Sequence, residues 1–458
     1  MDKSALRKID DWLWEIPKST RSDMRVPARV YATEIMLEAI LRDRSLDQLV
    51  NVATLPGIRG YAIAMPDVHE GYGFPIGGIA AVDPDEGVIS PGGIGYDINC
   101  GVRLLRSRQS AKSITPHLPK VVHSVAREIP SGVGRGGPLK LDKREFDGVL
   151  TGGAARAVER GYGEEKDLDR IESRGTIEGA DPAAVSDQAR GRGGDQLGTI
   201  GAGNHFVEID RVAMVFDTIA ARELGLEDDR VVILIHTGSR GLGHQVATDF
   251  LKRMQNSGIR IPDRELACAR FRSPEGQQYF HAMAAAANFA FANRQVITAG
   301  IRRAWKHEFG SDGDLDVVYD VAHNVAKLER HAIGEVLVHR KGATRAFPGQ
   351  PVLIPGSMGT ASYVLIGQPK AMEQSFGSTC HGAGRVMSRT RARHEIQPDE
   401  LRTRLKNAGI IAEAGSAKGL VEEAPEAYKD IDAVVDIVDR AGIAKKVARL
   451  TPLGVVKG

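Results

Sequence analysis

Short apolar runs punctuated by glycine recur in this chain from residue 58 to 106 and again from 335 to 366. Glycine has no Cβ, so it permits tight turns and close backbone approaches that other residues resist. Runs of this kind read as strands joined by loops, so the chain must build sheets. Val231–Ile235 and Asp316–Ala322 read as two more strands. Helical spacing governs other stretches. It marks residues 1–50, where Ile35 to Leu41 and then Leu46 and Leu49 share a face. It marks 117–162, broken at 131–138, and a segment from about His244 to Met254. The longest helical pattern spans 279–308 and puts Arg302, Arg303, Lys306 and His307 in its last turns, where the helix dipole favours cations. The tail from Pro398 reads as short helices. No Pro/Ser/Gly-rich linker or fixed-period repeat divides the chain. The expectation is one α+β domain over residues 1–458, with a helical N-terminal segment at 1–50, peripheral helices and a charged surface insertion at 163–195.

Lys and Arg total 61 against 59 Asp and Glu, so the net charge is only +2. That excludes binding nucleic acid chiefly through a global positive field and leaves a local, salt-sensitive patch. Aromatics at 5% argue against a base-stacking platform. The three cysteines, Cys100, Cys268 and Cys380, are too few and odd in number for a disulfide framework and point to a reducing compartment. The N-terminus has no signal-peptide stretch, and no apolar run reaches membrane-spanning length. A cytoplasmic protein with no membrane partner is expected.

Metal-capable residues cluster beside glycines or just after apolar runs. Asp97 and Cys100 sit in Gly95-Tyr-Asp-Ile-Asn-Cys-Gly101, His205 follows Gly203-Asn204, His236 ends one strand and His323 ends another. Singly, each reads as an ordinary core or loop residue. Together, one thiol, one carboxylate and three imidazoles exceed what one tetrahedral ion needs and suit two ions sharing a bridging ligand. The mixed O/N/S set argues against Mg or Ca and leaves Zn, Mn, Fe or Co, with the thiol favouring zinc.

A second constellation is built for phosphate. In Ser378-Thr-Cys-His381-Gly-Ala-Gly-Arg385-Val-Met-Ser-Arg389, glycines expose backbone N–H groups and arginines offer paired donors. A histidine there can attack phosphorus and carry a covalent group, whereas the neighbouring Cys380 is a soft nucleophile poorly matched to it. Arg240 also suits phosphate oxygens, and Pro355-Gly-Ser357-Met-Gly-Thr-Ala-Ser362 is another backbone-exposing loop. No GxxxxGK[ST] occurs. The one GxGxxG match, Gly132 to Gly137, precedes Pro138 and reads as a plain loop with no dinucleotide role.

Several motifs in the same order carry a resemblance. Met65-Pro-Asp67-Val-His-Glu-Gly, Gly95-Tyr-Asp-Ile-Asn-Cys-Gly-Val-Arg103, Gly203-Asn-His-Phe-Val-Glu208, His236-Thr-Gly-Ser-Arg-Gly-Leu-Gly-His244, Pro355-Gly-Ser-Met-Gly359 and His381-Gly-Ala-Gly-Arg385 resemble the RtcB family of RNA-splicing ligases, from about residue 55 to the end. The resemblance implies an α+β fold with mixed sheets around a dinuclear metal site. It implies a GTP-dependent ligase using two Mn²⁺ ions, which joins RNA ending in a 2′,3′-cyclic phosphate or 3′-phosphate to RNA with a 5′-hydroxyl, in tRNA splicing or RNA repair. Asp97, Cys100, His205, His236 and His323 would hold the metals, with Cys100 bridging, and manganese would replace the zinc that softness favours. His381 would become guanylylated. Asn204 would bind phosphate, Glu208 the guanosine, and Ser357, Ser362, Tyr428 and Lys457 the guanine pocket. Arg240 and Arg389 would hold the RNA phosphate, and Asp67 would be needed for activity in a role the residues alone do not define. An archease-like activator is a further implied partner.

Overall fold

The computed structural model describes residues 1–132, 134 and 136–458. The expected α+β class with mixed sheets is what the chain adopts. Two large sheets dominate. One has seven strands in the order Arg7–Lys8, Leu13–Ile16, Ala28–Tyr31, Ile58–His69, Ile76–Val82, Gly334–Lys341, Asn324–His331. The other has eight, running Asp316–Ala322, Gly101–Ser110, Arg230–Thr237, Phe206–Val215, Ala444–Lys457, Ser362–Gly367, Pro351–Ile354, with Ile411–Ala414 beside Ala444–Lys457. Pairing is antiparallel except between Ala28–Tyr31 and Ile58–His69 and between Ile411–Ala414 and Ala444–Lys457.

The chain crosses from one large sheet to the other at a single residue. Asp316–Ala322 belongs to the eight-stranded sheet and Asn324–His331 to the seven-stranded one, so His323 stands at the seam. Register brings other residues to the same end of the sheet. Lys457 pairs with Phe206, Phe206 with His236, His236 with Val102, and Val102 with Val321. Antiparallel alternation thus gathers two strand starts and three strand ends from across the sequence into one row.

Against this row packs the helix Pro274–Phe309, 36 residues and about 54 Å long at 1.5 Å per residue. Ser273 caps it by accepting from the Gly276 N–H, Pro274 occupies its first turn, and Lys306 and His307 close it. Its alanines from 284 to 287 are wholly buried, but so are Asn288, Asn293, Arg294, Gln295 and Thr298. No helix among the described residues is long and apolar enough to cross a membrane.

Three local expectations need correction. Residues 1–50 are α-helical only at Glu34–Ile40 and from Ser45 on; the segment before Glu34 forms three strands at one side of the seven-stranded sheet, with Leu13–Ile16 buried. The 163–195 stretch is not only surface. Asp167, Leu168, Ile171 and Glu172 are buried, with Asp167 gripped by both terminal nitrogens of Arg302 at 2.7 Å and Glu172 by Lys327 at 2.5 Å. The tail is not only short helices, since Ala444–Lys457 is a fourteen-residue strand inside the large sheet. The Gly132–Gly137 loop contains Val133 and Arg135, which lie outside the described residues.

Candidate metal and nucleotide site

The row of strand ends carries the five metal-capable side chains into contact. Cys100 Sγ lies 3.4 Å from both His205 Nε2 and His236 Nε2. His236 Nε2 is 3.3 Å from His323 Nε2, and His205 Nε2 is 2.8 Å from Asp97 Oδ2. Two donor triples result, Cys100–His236–His323 and Asp97–Cys100–His205, each with its donor atoms within 4.8 Å of one another. Cys100 belongs to both, so the donor set fits two ions that share a sulfur.

The electrostatics suit that reading. Burial, together with neighbouring His205, His381 and Lys457, holds His236 well below its ordinary value. Burial does the same to His323, helped by His381 and His236. Both imidazoles are therefore neutral and keep a lone pair to donate. Burial pushes the Asp97 carboxyl up, but His205, Cys100 and Arg240 outweigh it and bring it to about 2. Burial and the Asp97 charge push the Cys100 thiol well up, so a bound cation is what would release its proton.

His381 stands at the edge of this cluster, its ring centroid 5.0 Å from that of His323. Asp67 fixes it. Asp67 Oδ2 accepts from His381 Nδ1 at 2.5 Å and from the backbone N–H groups of His381 and Gly382 at 2.9 and 3.3 Å. Burial raises the Asp67 carboxyl, but the His381 ring, the His381 backbone N–H and Lys429 together hold it below its usual value. An ionised Asp67 can only accept, so Nδ1 carries the shared hydrogen and Nε2 is the nitrogen turned away from the carboxylate. Gly384, at φ +74°, is needed here: a Cβ would fall 2.2 Å from the Asp67 carbonyl oxygen.

From the donors a cleft of about 320 Å³ extends past His381. Asn204, Ser357, Arg389, Tyr428 and Lys457 line it, whereas Asp67, His205, Glu208, Arg240 and Ser362 are not among its lining residues. Lys457 is buried with Nζ 5.2 Å from the Phe206 ring centroid; burial lowers it to about 8 against the pull of Glu423 and Glu208. Ser357 Oγ is buried without a partner, and Ser362 Oγ accepts from the Gly356 N–H at 3.0 Å, shaping the loop. Both Glu208 oxygens are buried and unpaired, and burial with nearby Asp210 pushes that carboxyl well up. Arg240, at φ +56°, donates through Nε to Thr199 Oγ1 at 3.1 Å, and only glycine at 201 leaves room for its guanidinium beside His205.

Glu423 escaped the sequence reading. It is buried and accepts from Arg385 Nη1 and Arg389 Nε, each at 3.0 Å, and from the Tyr428 hydroxyl. Arg385 also lies 4.9 Å from the Tyr428 ring centroid. In sequence Glu423 belongs to a Glu-Glu-Ala-Pro turn with no sign of burial.

Over residues 48–458 the chain matches the family model described as tRNA-splicing ligase RtcB. It is 52% identical to the tRNA-splicing ligase RtcB of Thermococcus kodakarensis, with 99% of each chain covered. It is 51% identical to that of Archaeoglobus fulgidus over 100% of this chain and 99% of the relative. To the RNA-splicing ligase RtcB of Mycobacterium tuberculosis it is also 51% identical, over 90% of this chain and all of the relative.

Proposed function

Because this chain belongs to the RtcB family of tRNA-splicing ligases, we propose that it joins a 3′-phosphate or 2′,3′-cyclic phosphate RNA end to a 5′-hydroxyl end through a guanylylated His381. It is an RNA ligase, and its substrates are broken RNA ends such as tRNA halves. The observation that carries the chemistry is the Asp67–His381 pair at the edge of the five-donor cluster.

Asp97, Cys100, His205, His236 and His323 would hold two Mn²⁺ ions, whose chemistry is charge stabilisation at phosphoryl oxygens. The protein's own residues do the rest. His381 Nε2 attacks the α-phosphorus of GTP; the bond to the β-phosphate oxygen breaks and pyrophosphate leaves. The Nδ1 proton stays shared with Asp67, which offsets the positive charge that develops on the ring. Water first opens a cyclic end to a 3′-phosphate. An oxygen of that phosphate then attacks the His381-bound phosphorus, the N–P bond breaks, and RNA(3′)pp(5′)G forms. The 5′-hydroxyl attacks the RNA phosphorus, loses its proton and expels GMP. Activation is required because a phosphate monoester has no good leaving group.

Asn204, which lines the cleft, would bind phosphate oxygens, and Arg389, also on the lining, would hold the RNA phosphate together with Arg240. Lys457, Tyr428 and Ser357, which line the cleft, would form the guanine pocket together with Ser362, and Glu208 would contact the guanosine.

The test is incubation with α-³²P-GTP and Mn²⁺ followed by denaturing electrophoresis, alongside His381→Ala. Acid-labile, manganese-dependent label absent from the variant is expected. No label in a protein that still binds metal would replace this reading with a GTP-independent metallophosphoesterase.

A further inference from the structure

Resting on the metal-site reading above, we infer that Arg294 is a positioning residue for the metal cluster, holding the loops that carry Cys100, His236 and His323 at a fixed spacing. Arg294 lies mid-way along the helix Pro274–Phe309 and is wholly buried. Its Nη1 donates to the Asn99 carbonyl at 2.9 Å and to the Thr237 carbonyl at 3.0 Å. Those carbonyls belong to the residue before Cys100 and the residue after His236. The rest of the guanidinium grips Asp320: Nε reaches both carboxylate oxygens, at 3.1 and 2.9 Å, and Nη2 reaches Oδ1 at 2.9 Å. Asp320 stands three residues before His323 on the strand Asp316–Ala322. One planar group thus ties together three donor-bearing segments that are far apart in sequence.

The surroundings reinforce the tie. Arg103 Nε donates to Asp320 Oδ2 at 2.7 Å, so Asp320 is held from two sides. One residue before Arg294, Asn293 accepts from the Gly198 and Thr199 N–H groups and donates to the Thr199 and Gly238 carbonyls. Asn99 in turn donates to the Ala287 carbonyl at 2.6 Å. Four donor loops therefore rest on one side of one rigid helix. A rigid fork with five donors suits this task; a lysine, with a single ammonium, cannot serve two carbonyls and a carboxylate in that geometry. Gly101 makes the approach feasible, since a Cβ there would sit 3.1 Å from the Arg294 guanidinium and 2.2 Å from the Val321 carbonyl.

The experiment compares wild type, Arg294→Lys, Asp320→Asn and Arg302→Lys by Co²⁺ titration, reading the thiolate-to-metal and d–d absorption bands, with Mn²⁺ affinity by electron paramagnetic resonance and folding by circular dichroism. Arg302 is the control: it lies on the same helix, pairs with Asp167, and its other hydrogen bond goes to the Leu315 carbonyl, eight residues before His323. Arg294→Lys should remain folded, weaken metal binding by roughly 10–100-fold and shift the Co²⁺ bands, as loss of a group supporting the ligands typically does. Asp320→Asn should move the bands in the same direction, and Arg302→Lys should leave them in place even if its melting temperature falls. Wild-type affinity and bands in folded Arg294→Lys would overturn the inference. So would equal changes in Arg302→Lys, or failure of both Arg294→Lys and Asp320→Asn to fold, which would assign the ion pair to folding alone. A wild-type protein that binds neither ion would overturn the metal-site reading itself, and this inference with it.

Discussion

The two halves of the cleft are prepared in opposite ways. On the metal side the donors converge with almost no counter-charge: neutral His236 and His323 face a thiol whose proton burial retains, and the one anion among them is Asp97. On the nucleotide side the cations are already matched, because Glu423 is shared by Arg385, Arg389 and Tyr428 and pulls on Lys457. The first half is a rigid set of lone pairs held at strand ends and backed by a helix. The second is a closed charge network that must exchange partners when an anionic nucleotide enters. One side should therefore respond to mutation in an all-or-none way and the other by degrees.

The largest expected effect is that of Cys100→Ala. It removes the only donor common to both triples, so ligation should fall to background and the metal content should drop at both sites while the far-ultraviolet dichroism is retained. Wild-type ligation in this variant would remove Cys100 from the site and break the contrast. Next comes Lys457→Met. Losing a buried charged contact of about 2 kcal/mol corresponds to roughly 30-fold in apparent GTP affinity. Bound metal and RNA affinity should stay near wild type; an unchanged GTP affinity would detach Lys457 from the nucleotide. Smaller again is Glu423→Gln, which weakens the hold on Arg385, Arg389 and the Tyr428 hydroxyl at once. Apparent GTP affinity should shift several-fold with metal binding untouched, and stability should fall by about 1–3 kcal/mol in urea unfolding. A loss of metal in this variant would show that the two halves are not independent.

The smallest effect concerns the scaffold. Burial pushes Glu172 up, but Lys327 and Arg345 bring it down to about 2. Glu329, paired to Arg340 at 2.6 and 2.8 Å, is likewise brought to about 2 against burial. Both lie below the ordinary value of 4.5. Their stabilisation is therefore complete above about pH 4.5 and is lost as pH falls toward 2. Melting temperature should drop with acid in that window, and Glu172→Gln should flatten the slope there. A slope unchanged in that variant would mean the Glu172–Lys327 pair adds nothing to stability.

What could be read from the chain follows a physical pattern. The donors were legible because their identity is their chemistry and each sits beside a glycine or at the end of an apolar run, as Asp97, Cys100, His205, His236 and His323 do. The strand Ala444–Lys457 was not, since Lys445, Lys446, Arg449 and Pro452 interrupt its alternation, and register shifts occur between Arg449 and Leu450 and between Pro452 and Gly454. Residues 163–195 read as solvated because the partners of Asp167 and Glu172 lie more than a hundred residues away, at Arg302 and Lys327.

Sequence by itself therefore determined the α+β class, the family, the donor set and the candidate nucleophile, all properties carried by residue type and local spacing. Tertiary structure alone decided that Asp67 holds His381 through Nδ1, that Lys457 meets Phe206 in one register row, and that Arg294 and Glu423 are buried. Helical and strand periodicity show which residues share a face. They do not show which distant charge, carbonyl or ring will face it, and for a buried polar group that partner determines both its protonation and its role.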